Sequence, residues 1–231
     1  MTPTDLLLRP ATDADATAIA EVHVASRAAA TMPPLVHDDD DVRRWLAGRV
    51  REDEVWVADQ DGRVVGYARV AGAWLDDLYV LPGHAARGVG SALLEIVKAR
   101  RPDGFCLWVF EVNRPARRFY ARRGLVELER TDGSGNEERA PDIRMAWPGA
   151  DPLGFFRGLI DEVDEQLADL LARRAALTRA VQAHKPGPSR DPDRERAIAA
   201  AMALRAPDLG VDRLGRIVHT IITESLDAAR D

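Results

Sequence analysis

The sequence predicts an α+β domain followed by an all-α domain, because the pattern of residues changes once along the chain. Segments typical of strands and of helices alternate up to about Pro148, whereas strand signals are absent from Phe155 onward. Residues 149–154, rich in proline and glycine, lie between the two patterns and are typical of a linker. In a chain of 231 residues this predicts one domain at 1–148 and a second at 155–231.

Hydrophobic periodicity and turn residues define the elements of the first domain. Strands are predicted at 6–9, 55–58, 63–70, 75–81, 105–110, 126–129 and 143–147, and helices at 13–30, 41–50, 91–100 and 114–123. Asp61-Gly62 is a common two-residue turn and predicts a hairpin between the second and third strands. Gly124 follows the last helix, where a glycine commonly ends a helix.

The second domain contains a long apolar repeat followed by two shorter helical segments. Apolar residues at spacings of three and four predict a long amphipathic helix, and they are Leu159, Ile160, Val163, Leu167, Leu170, Leu171, Leu177 and Val181. Lys185-Pro186-Gly187-Pro188 ends this helix, and further helices are predicted at 193–204 and 211–228. Three helices of this size form only a small core, which favours an oligomer.

Composition restricts the partners and the compartment of the chain. The formal net charge is −6, so there is no excess of basic residues to bind a nucleic-acid backbone. Cys106 is the single cysteine, which excludes an intrachain disulfide and fits a reducing cytoplasm. The apolar run near the N-terminus is too short for a signal peptide or a membrane span. We therefore expect a cytoplasmic protein that binds neither nucleic acid nor a membrane.

A glycine-rich turn within residues 81–94 is the first pattern that points to function. It leads from the end of a strand into a helix and contains Gly88 and Gly90. Glycine lets the backbone approach a ligand closely, and the exposed N–H groups at a helix N-terminus suit a pyrophosphate. Taken alone, the turn is equally well explained as an ordinary connection between a strand and a helix.

A second pattern downstream makes the turn more specific. Residues 109–113 read Val-Phe-Glu-Val-Asn, and Ala116, Phe119-Tyr120 and Gly124-Leu125 follow. Together with the turn they resemble the GNAT-type acetyltransferase superfamily over residues 6–147. The resemblance implies a mixed central sheet flanked by helices, with acetyl-CoA as cosubstrate. It assigns acetyl-CoA binding to Val80, Arg87, Gly88, Val89, Gly90, Ser91 and Asn113.

The same resemblance implies catalytic roles in the first domain. Tyr120 is expected to protonate the departing thiolate, and the alternative is a half-buried core aromatic. The family often has Gln or Arg where this chain has Ala85, and Arg87 is a candidate for the missing charge. The sequence does not define the acceptor amine, and the polar loop 131–138 is expected near it. Candidate bases, each alternatively a solvated or capping carboxylate, are Asp76, Asp77 and Glu111.

Three cations mark the long helix of the second domain, namely Arg157, Arg174 and Lys185. Arg174 and Lys185 are eleven residues apart, which places them within about 20° on one helix face. Arg174 falls within the apolar stripe, and a buried arginine is costly unless an anion meets it. Arg157 lies about 100° away from this face, so we expect it to serve the pocket of a partner chain.

These cations belong to a longer pattern in the second domain. It comprises Phe156-Arg157, Ile160-Asp161, Asp164, Leu167, Leu170-Leu171, Arg174, Lys185, Asp191, Arg194-Glu195, Ile221-Ile222 and Glu224-Ser225. The pattern resembles the all-helical chorismate mutase family over nearly the whole segment. The resemblance implies an intertwined homodimer whose two pockets each borrow an arginine from the other chain. It also implies rearrangement of chorismate to prephenate without a metal or a cofactor.

The resemblance assigns a role to each polar residue of the pattern. Arg174 and an Arg157 from the second chain bind the substrate carboxylates, Lys185 donates to the ether oxygen, Asp191 and Arg194 shape the pocket, Glu195 accepts from the ring hydroxyl, and Ser225 supports a carboxylate contact. The guanidinium fork is well suited to carboxylates. From the residues alone, the run 190–196 also fits a solvated helix start, and Ser225 also fits a serine bonded to its own backbone.

One position departs from the chorismate mutase pattern. Ala229 stands where the family commonly has Gln or Glu, and losing a donor to a developing oxyanion costs about 10²–10³ in rate. A related mutase or lyase acting on 4-amino-4-deoxychorismate or isochorismate is therefore an alternative. Others are a non-catalytic helical domain that dimerises or senses an aromatic acid, and an inactive acetyltransferase scaffold. We prefer a bifunctional enzyme, and the fusion suggests an aromatic amine made downstream as acetyl acceptor.

Overall fold

A computed structural model describes residues 6–184 and 190–229 and divides into two compact units, Met1–Phe156 and Arg157–Asp231. The strands are β1 (Leu6–Pro10), β2 (Glu54–Gln60), β3 (Arg63–Ala71), β4 (Trp74–Val80), β5 (Phe105–Phe110), β6 (Val126–Arg130) and β7 (Asp142–Trp147). The helices are α1 (Ala16–Ala29), α2 (Asp39–Glu52), α3 (Val89–Arg100), α4 (Arg114–Ala121), α5 (Pro152–Gln182), α6 (Pro192–Arg205) and α7 (Gly210–Asp227). Within the described residues, no helix is long and apolar enough to span a membrane.

Over its described residues, the first unit is built on one seven-stranded sheet with the order β1-β2-β3-β4-β5-β7-β6. Strands β4 and β5 run parallel and the other neighbouring strands run antiparallel, so the sheet is mixed, as predicted. The predicted hairpin is confirmed, because Gln60 pairs with Arg63 across the turn. Asp61 and Gly62 both have positive φ, 55° and 79°, as a primed two-residue turn requires.

Helices cover both faces of this sheet. Neighbouring residues of a strand point to opposite faces, and Val57 and Ala58 of β2 belong to two different core clusters. Residues of α1 and α2, such as Ile19 and Leu46, pack on the first face, and residues of α3, such as Leu93, pack on the second. The predicted arrangement of a central sheet with flanking helices is therefore confirmed.

The sheet opens in its middle, between the two parallel strands. In the described residues β4 and β5 pair only through Trp74 and Cys106, near the start of each strand. The later parts of both strands therefore lose their shared hydrogen bonds and leave an opening. Strand β4 then leads through the glycine-rich turn into α3, so the turn lies at the opening.

The second unit consists of helices, as predicted. Helices α6 and α7 pack on each other around Ala199, Leu214 and Val218. In the described part of the chain no residue of α5 is buried, and Leu170 is 56% exposed and Leu177 62%. Helix α5 begins at Pro152, where Asp151 accepts a hydrogen bond from the Gly154 N–H at 3.1 Å. The domain bounds inferred from the sequence stay a prediction.

Candidate active sites

A first cavity of about 620 Å³ lies beside the glycine-rich turn. Its lining comprises Leu78, Val80, Ala85, Ala86, Gly88, Gly90, Ser91, Pro115, Ala116, Phe119, Tyr120 and Arg123. Four of the residues predicted to bind acetyl-CoA are therefore brought together here, namely Val80, Gly88, Gly90 and Ser91. Tyr120, the predicted acid, lies against the same space.

The turn presents backbone donors to this cavity. Gly88 precedes α3 with φ of +92°, a conformation that other residues adopt only with strain. The first N–H groups of a helix have no partner within the helix, so those at the start of α3 can bind an anion. A Cβ at Gly90 would lie 3.5 Å from Phe119 and 3.6 Å from Val80, so the backbone there is close to the cavity wall.

Three predicted cofactor residues occupy other positions. The side chain of Val89 is buried in the core, which leaves only its backbone for a ligand. Arg87 is exposed and is not part of the cavity lining. Asn113 lines a second cavity, and its side chain caps α4 by accepting the Ala116 N–H at 3.2 Å. The roles of these residues stay predictions.

Arg123 is a residue of this cavity that sequence reasoning missed. Its guanidinium carbon lies 3.8 Å from the centroid of the Phe119 ring, and the group donates to the Ser91 hydroxyl. It therefore places a positive charge beside the turn, where Ala85 leaves none. Arg123 follows Phe119 by four residues, a spacing that places two residues on the same helix face and so could have indicated this contact.

Tyr120 lies between the first cavity and a second one. Leu78, Ala116 and Tyr120 line both spaces, so the cavities adjoin at the phenol. Burial is the main cause that raises the pKa of Tyr120 above its ordinary value, and Tyr79 and Asp77 add to it. The phenol therefore stays protonated at neutral pH and is available as a proton donor.

The second cavity has a volume of about 710 Å³ and lies at the opening between β4 and β5. Residues of the polar loop 131–138, including Thr131, Asn136 and Glu138, form part of its wall. Of the candidate bases, Asp76 and Asp77 line this cavity. Glu111 is not part of the lining, and it binds Arg130 at 2.9 Å.

Asp76 and Asp77 share one guanidinium. Arg69 binds Asp77 at 2.5 Å, Asp53 at 2.8 Å and Asp76 at 3.0 Å. Asp77 is buried, whereas the side chain of Asp76 is 33% exposed. Burial, followed by the charges of Asp77 and Asp53, raises the pKa of Asp76 despite the attraction of Arg69. Asp76 is therefore the more accessible candidate, and its raised pKa suits a base.

A third cavity, of about 320 Å³, lies within the helical unit. Its lining comprises Arg174, Leu177, Thr178, Val181, Gln182, Arg190, Asp191, Arg194, Glu195, Ile198, Ile222 and Leu226. It brings together four predicted site residues from two helices, namely Arg174, Asp191, Arg194 and Glu195. Asp191 also caps α6, because its carboxylate accepts the Arg194 N–H at 3.0 Å.

Ser225 holds Arg174 in place at this cavity. The guanidinium of Arg174 donates to the Ser225 hydroxyl at 2.6 Å and to the Ile221 carbonyl at 3.2 Å. The buried serine in turn donates to the Ile221 carbonyl at 2.6 Å. Ser225 therefore bonds to its own helix and also positions Arg174, while its support of a substrate carboxylate stays a prediction.

Arg190 is a second residue that sequence reasoning did not select. It binds both oxygens of Glu195, at 2.8 and 2.9 Å, and donates to the Thr223 hydroxyl at 2.8 Å. Its other contact is the His219 ring at 2.9 Å. The hydrogen bonds from Arg190 are the main cause that lowers the pKa of Glu195. Glu195 is thus held as a carboxylate, a hydrogen-bond acceptor, at the cavity wall.

Two predicted cations, Arg157 and Lys185, are not among the described lining residues of this cavity. Arg157 is exposed and precedes Arg174 by seventeen residues of α5, which is about 25 Å along a helix. This distance excludes a shared pocket within one α5 helix. Lys185 lies outside the described residues. Ala229, one helical turn after Ser225, is partly exposed near the end of α7.

Family models match both units. A model described as an acetyltransferase (GNAT) domain matches residues 51–127. A model described as chorismate mutase type II matches residues 156–230. The two matches fall on opposite sides of the boundary between Phe156 and Arg157, except that the second match already includes Phe156.

Similar proteins are found for the first unit. The peptidyl-lysine N-acetyltransferase YiaC of Escherichia coli strain K12 is 33% identical over 96 residues, which cover 40% of this chain and 62% of YiaC. An uncharacterized N-acetyltransferase of Archaeoglobus fulgidus is 35% identical over 109 residues, which cover 41% of this chain and 73% of that protein. The crystal structure of a GCN5-related N-acetyltransferase from Rhodopseudomonas palustris matches with a TM-score of 0.54 at 26% identity, over 64% of this chain and 98% of its own. The chain thus spans less than two thirds of YiaC.

Proposed function

Since this chain belongs to the GNAT acetyltransferase family and carries a chorismate mutase type II domain, we propose that one cytoplasmic polypeptide catalyses two reactions. The first unit transfers an acetyl group from acetyl-CoA to an amine. The second unit rearranges chorismate to prephenate and so supplies aromatic amino acid biosynthesis. The position of Tyr120 between two adjoining cavities supports the first activity. The convergence of Arg174, Arg194 and Glu195 on one cavity carries the second.

The proposed acetyl transfer places the thioester in the first cavity and the amine in the second. Asp76 takes the first proton from the ammonium form of the acceptor, and the freed nitrogen attacks the carbonyl carbon. The new C–N bond forms, the C–S bond breaks, and Tyr120 gives its proton to the departing sulfur. The second proton of the nitrogen restores the phenol, and Asp76 releases the first to water. The products are the acetylated amine and CoA.

The proposed mutase reaction requires the protein to fold and hold its substrate. Chorismate is a dicarboxylate, and its rearrangement is an intramolecular pericyclic step. Arg174, fixed by Ser225, binds one carboxylate in the geometry that guanidinium groups favour. Glu195, fixed by Arg190, accepts a hydrogen bond from the ring hydroxyl. Lys185 donates to the ether oxygen as negative charge develops there.

We propose that the helical unit acts as a homodimer. Helix α5 exposes a row of apolar side chains that one chain leaves uncovered, including Ile160 at 58% and Leu170 at 56%. A second copy would cover this row, and exposed apolar surface of this kind is typical of an interface. It would also bring the second chain's Arg157 to the cavity, which Arg157 of the same helix cannot reach.

Ala229 favours one other candidate, a helical unit that binds an aromatic acid or a related chorismate derivative without efficient turnover. Ala229 has no hydrogen-bonding side chain to offer the ether oxygen. The cations of the cavity would still bind a dicarboxylate ring compound. Tight chorismate binding without product would support this candidate over the mutase.

Substituting Arg174 tests the mutase proposal with a matched control on the same helix. We expect Arg174→Ala to lower prephenate formation by about 10²–10³, because it removes a charged donor from the substrate carboxylate. Arg173→Ala removes an exposed neighbour that does not line the cavity, and it should leave the rate unchanged. Equal rates for the two variants would mean that the cavity is misassigned.

A further inference from the structure

The second cavity of the first unit has a predominantly acidic lining. Four carboxylates lie against it, from Asp76, Asp77, Glu138 and Asp142. Among the described lining residues Arg27 is the one Lys or Arg. Since this cavity adjoins Tyr120, it is the space that the proposed acetyl transfer leaves for the acceptor, and the inference rests on that proposed function.

Two guanidinium groups compensate only part of this charge. Arg27 forms an ion pair with Glu138 at 2.9 Å, with both side chains mostly buried. Arg69 reaches Asp76 and Asp77, but it also binds Asp53 at 2.8 Å. Arg49 also lies 4.0 Å from Asp53, so four cavity carboxylates and Asp53 are set against three guanidinium groups. The cavity therefore keeps a negative charge.

Among the described residues, Asp142 is the cavity carboxylate without a Lys or Arg partner. It is 9% exposed and lies in register with Phe110 at the edge of the opening. In the described chain its side-chain partners are uncharged, namely the Asn136 amide at 2.9 Å and the Thr131 hydroxyl. A buried carboxylate that is bonded only to uncharged groups is stabilised by a cation that enters the cavity.

An exposed tryptophan adds a second feature that favours a cation. Trp108 lines the cavity and is 43% exposed, although tryptophan usually buries its large apolar surface. It stacks on Trp74, with ring centroids 6.3 Å apart. The face of an indole ring attracts an ammonium group and can also pack against its alkyl chain.

We propose that the acceptor is an alkylammonium group that stands apart from any carboxylate, as in a lysine side chain within a peptide or in a diamine. Its charge meets the uncompensated carboxylates, and its methylene chain packs on Trp108. A free α-amino acid would bring its own carboxylate against Asp142 and Glu138, and like charges at close range oppose binding. An arylamine is uncharged at neutral pH and gains nothing from the acidic lining.

The test measures release of the CoA thiol by the full chain with four acceptors. These are a peptide with one internal lysine and blocked ends, cadaverine, phenylalanine and 4-aminobenzoate. We expect kcat/KM for at least one of the two cationic amines to be about tenfold or more above the kcat/KM of phenylalanine and of 4-aminobenzoate. Preference for the peptide assigns a protein lysine as acceptor, and preference for cadaverine assigns a small polyamine.

The variant Asp142→Asn keeps the shape of the side chain and removes its charge. It should raise KM for the preferred amine several-fold while acetyl-CoA affinity stays unchanged. Asp103→Asn, an exposed change away from the cavity, should behave as wild type. Faster turnover of phenylalanine or 4-aminobenzoate would overturn the proposal, as would acetyl-CoA binding without turnover of either cationic amine. If calorimetry detects no acetyl-CoA binding at all, the proposed acetyl transfer itself fails.

Discussion

Arg190 contacts three side chains around the helical cavity, although its position before α6 gave no sign of this in the sequence. The run from Arg190 to Arg196 alternates charges in a way that fits any solvated helix start. Only the fold brings Glu195, His219 and Thr223 to one guanidinium. Arg190 lines the same cavity and positions the carboxylate that is proposed to accept the ring hydroxyl.

We predict that Arg190→Ala lowers mutase activity most strongly in acid. With Arg190 present, the pKa of Glu195 lies below its ordinary value of about 4.3. Removing the guanidinium raises that pKa, so Glu195 becomes protonated at a higher pH than in wild type. Once protonated, it no longer accepts the hydrogen bond from the ring hydroxyl. The acid limb of kcat/KM for chorismate should therefore move to higher pH.

Arg196→Ala is the matched control for this prediction, because Arg196 is exposed and does not line the cavity. Its pH profile should overlay that of wild type. A profile for Arg190→Ala with the same acid limb and a uniformly lower rate would assign Arg190 a purely structural role.

Other residues show how far single positions can be inferred from sequence. Gly88, Gly90 and Arg174 could be selected as candidates because local spacing and residue type already restrict their roles. The ion pair between Arg27 and Glu138 could not be predicted, since 111 residues separate its two partners. Burial of Asp142 likewise depends on strand register, which the sequence does not specify.

At the scale of elements, the sequence predicted most strands and helices because apolar periodicity is a local property. The hairpin at Asp61-Gly62 and the helices α6 and α7 lie within two residues of their predicted bounds. The opening between β4 and β5 could not be predicted, because both strands have ordinary strand sequences. It depends on where their pairing stops, after Trp74 and Cys106.

The turn before α3 leads to a prediction about acetyl-CoA affinity. Gly88→Ala places a Cβ at φ of +92°, which costs about 1 kcal/mol or more in backbone strain. If the turn relaxes, its N–H groups leave the cavity, and affinity should fall about fivefold or more. Gly83→Ala, in the same loop but without positive φ, should bind as wild type. Isothermal calorimetry measures the acetyl-CoA affinity of both variants. Equal affinities would mean that the conformation of the turn does not contribute to cofactor binding.

At the scale of the whole molecule, the uncovered row of α5 requires an explanation that one chain does not supply. Fifty to sixty per cent exposure at Ile160, Val163 and Leu170 is far above what a packed helix face shows. The amphipathic repeat predicted a helix with a buried stripe, but the sequence cannot say which chain buries it. The proposed partner copy would cover this row and would account for the position of Arg157.

We predict that Leu170→Glu converts the protein to a monomer and abolishes mutase activity while acetyl-CoA binding persists. The charge is placed in the proposed interface, and each cavity then loses the arginine of the second chain. Sedimentation velocity reports the association state. Glu165→Ala, about 140° around α5 from Leu170, serves as the control and should sediment as wild type. A wild-type protein that sediments as a monomer and still forms prephenate would refute the shared pocket.

We propose that the cations of the helical unit hold one doubly anionic ring compound for rearrangement. The most direct measurement is turnover of chorismate by the purified full chain, with the product identified by mass spectrometry and by its conversion to phenylpyruvate in acid. We expect prephenate, formed at a rate well above that of the uncatalysed rearrangement. Prephenate formed no faster than in a control without protein, at saturating chorismate, would contradict it.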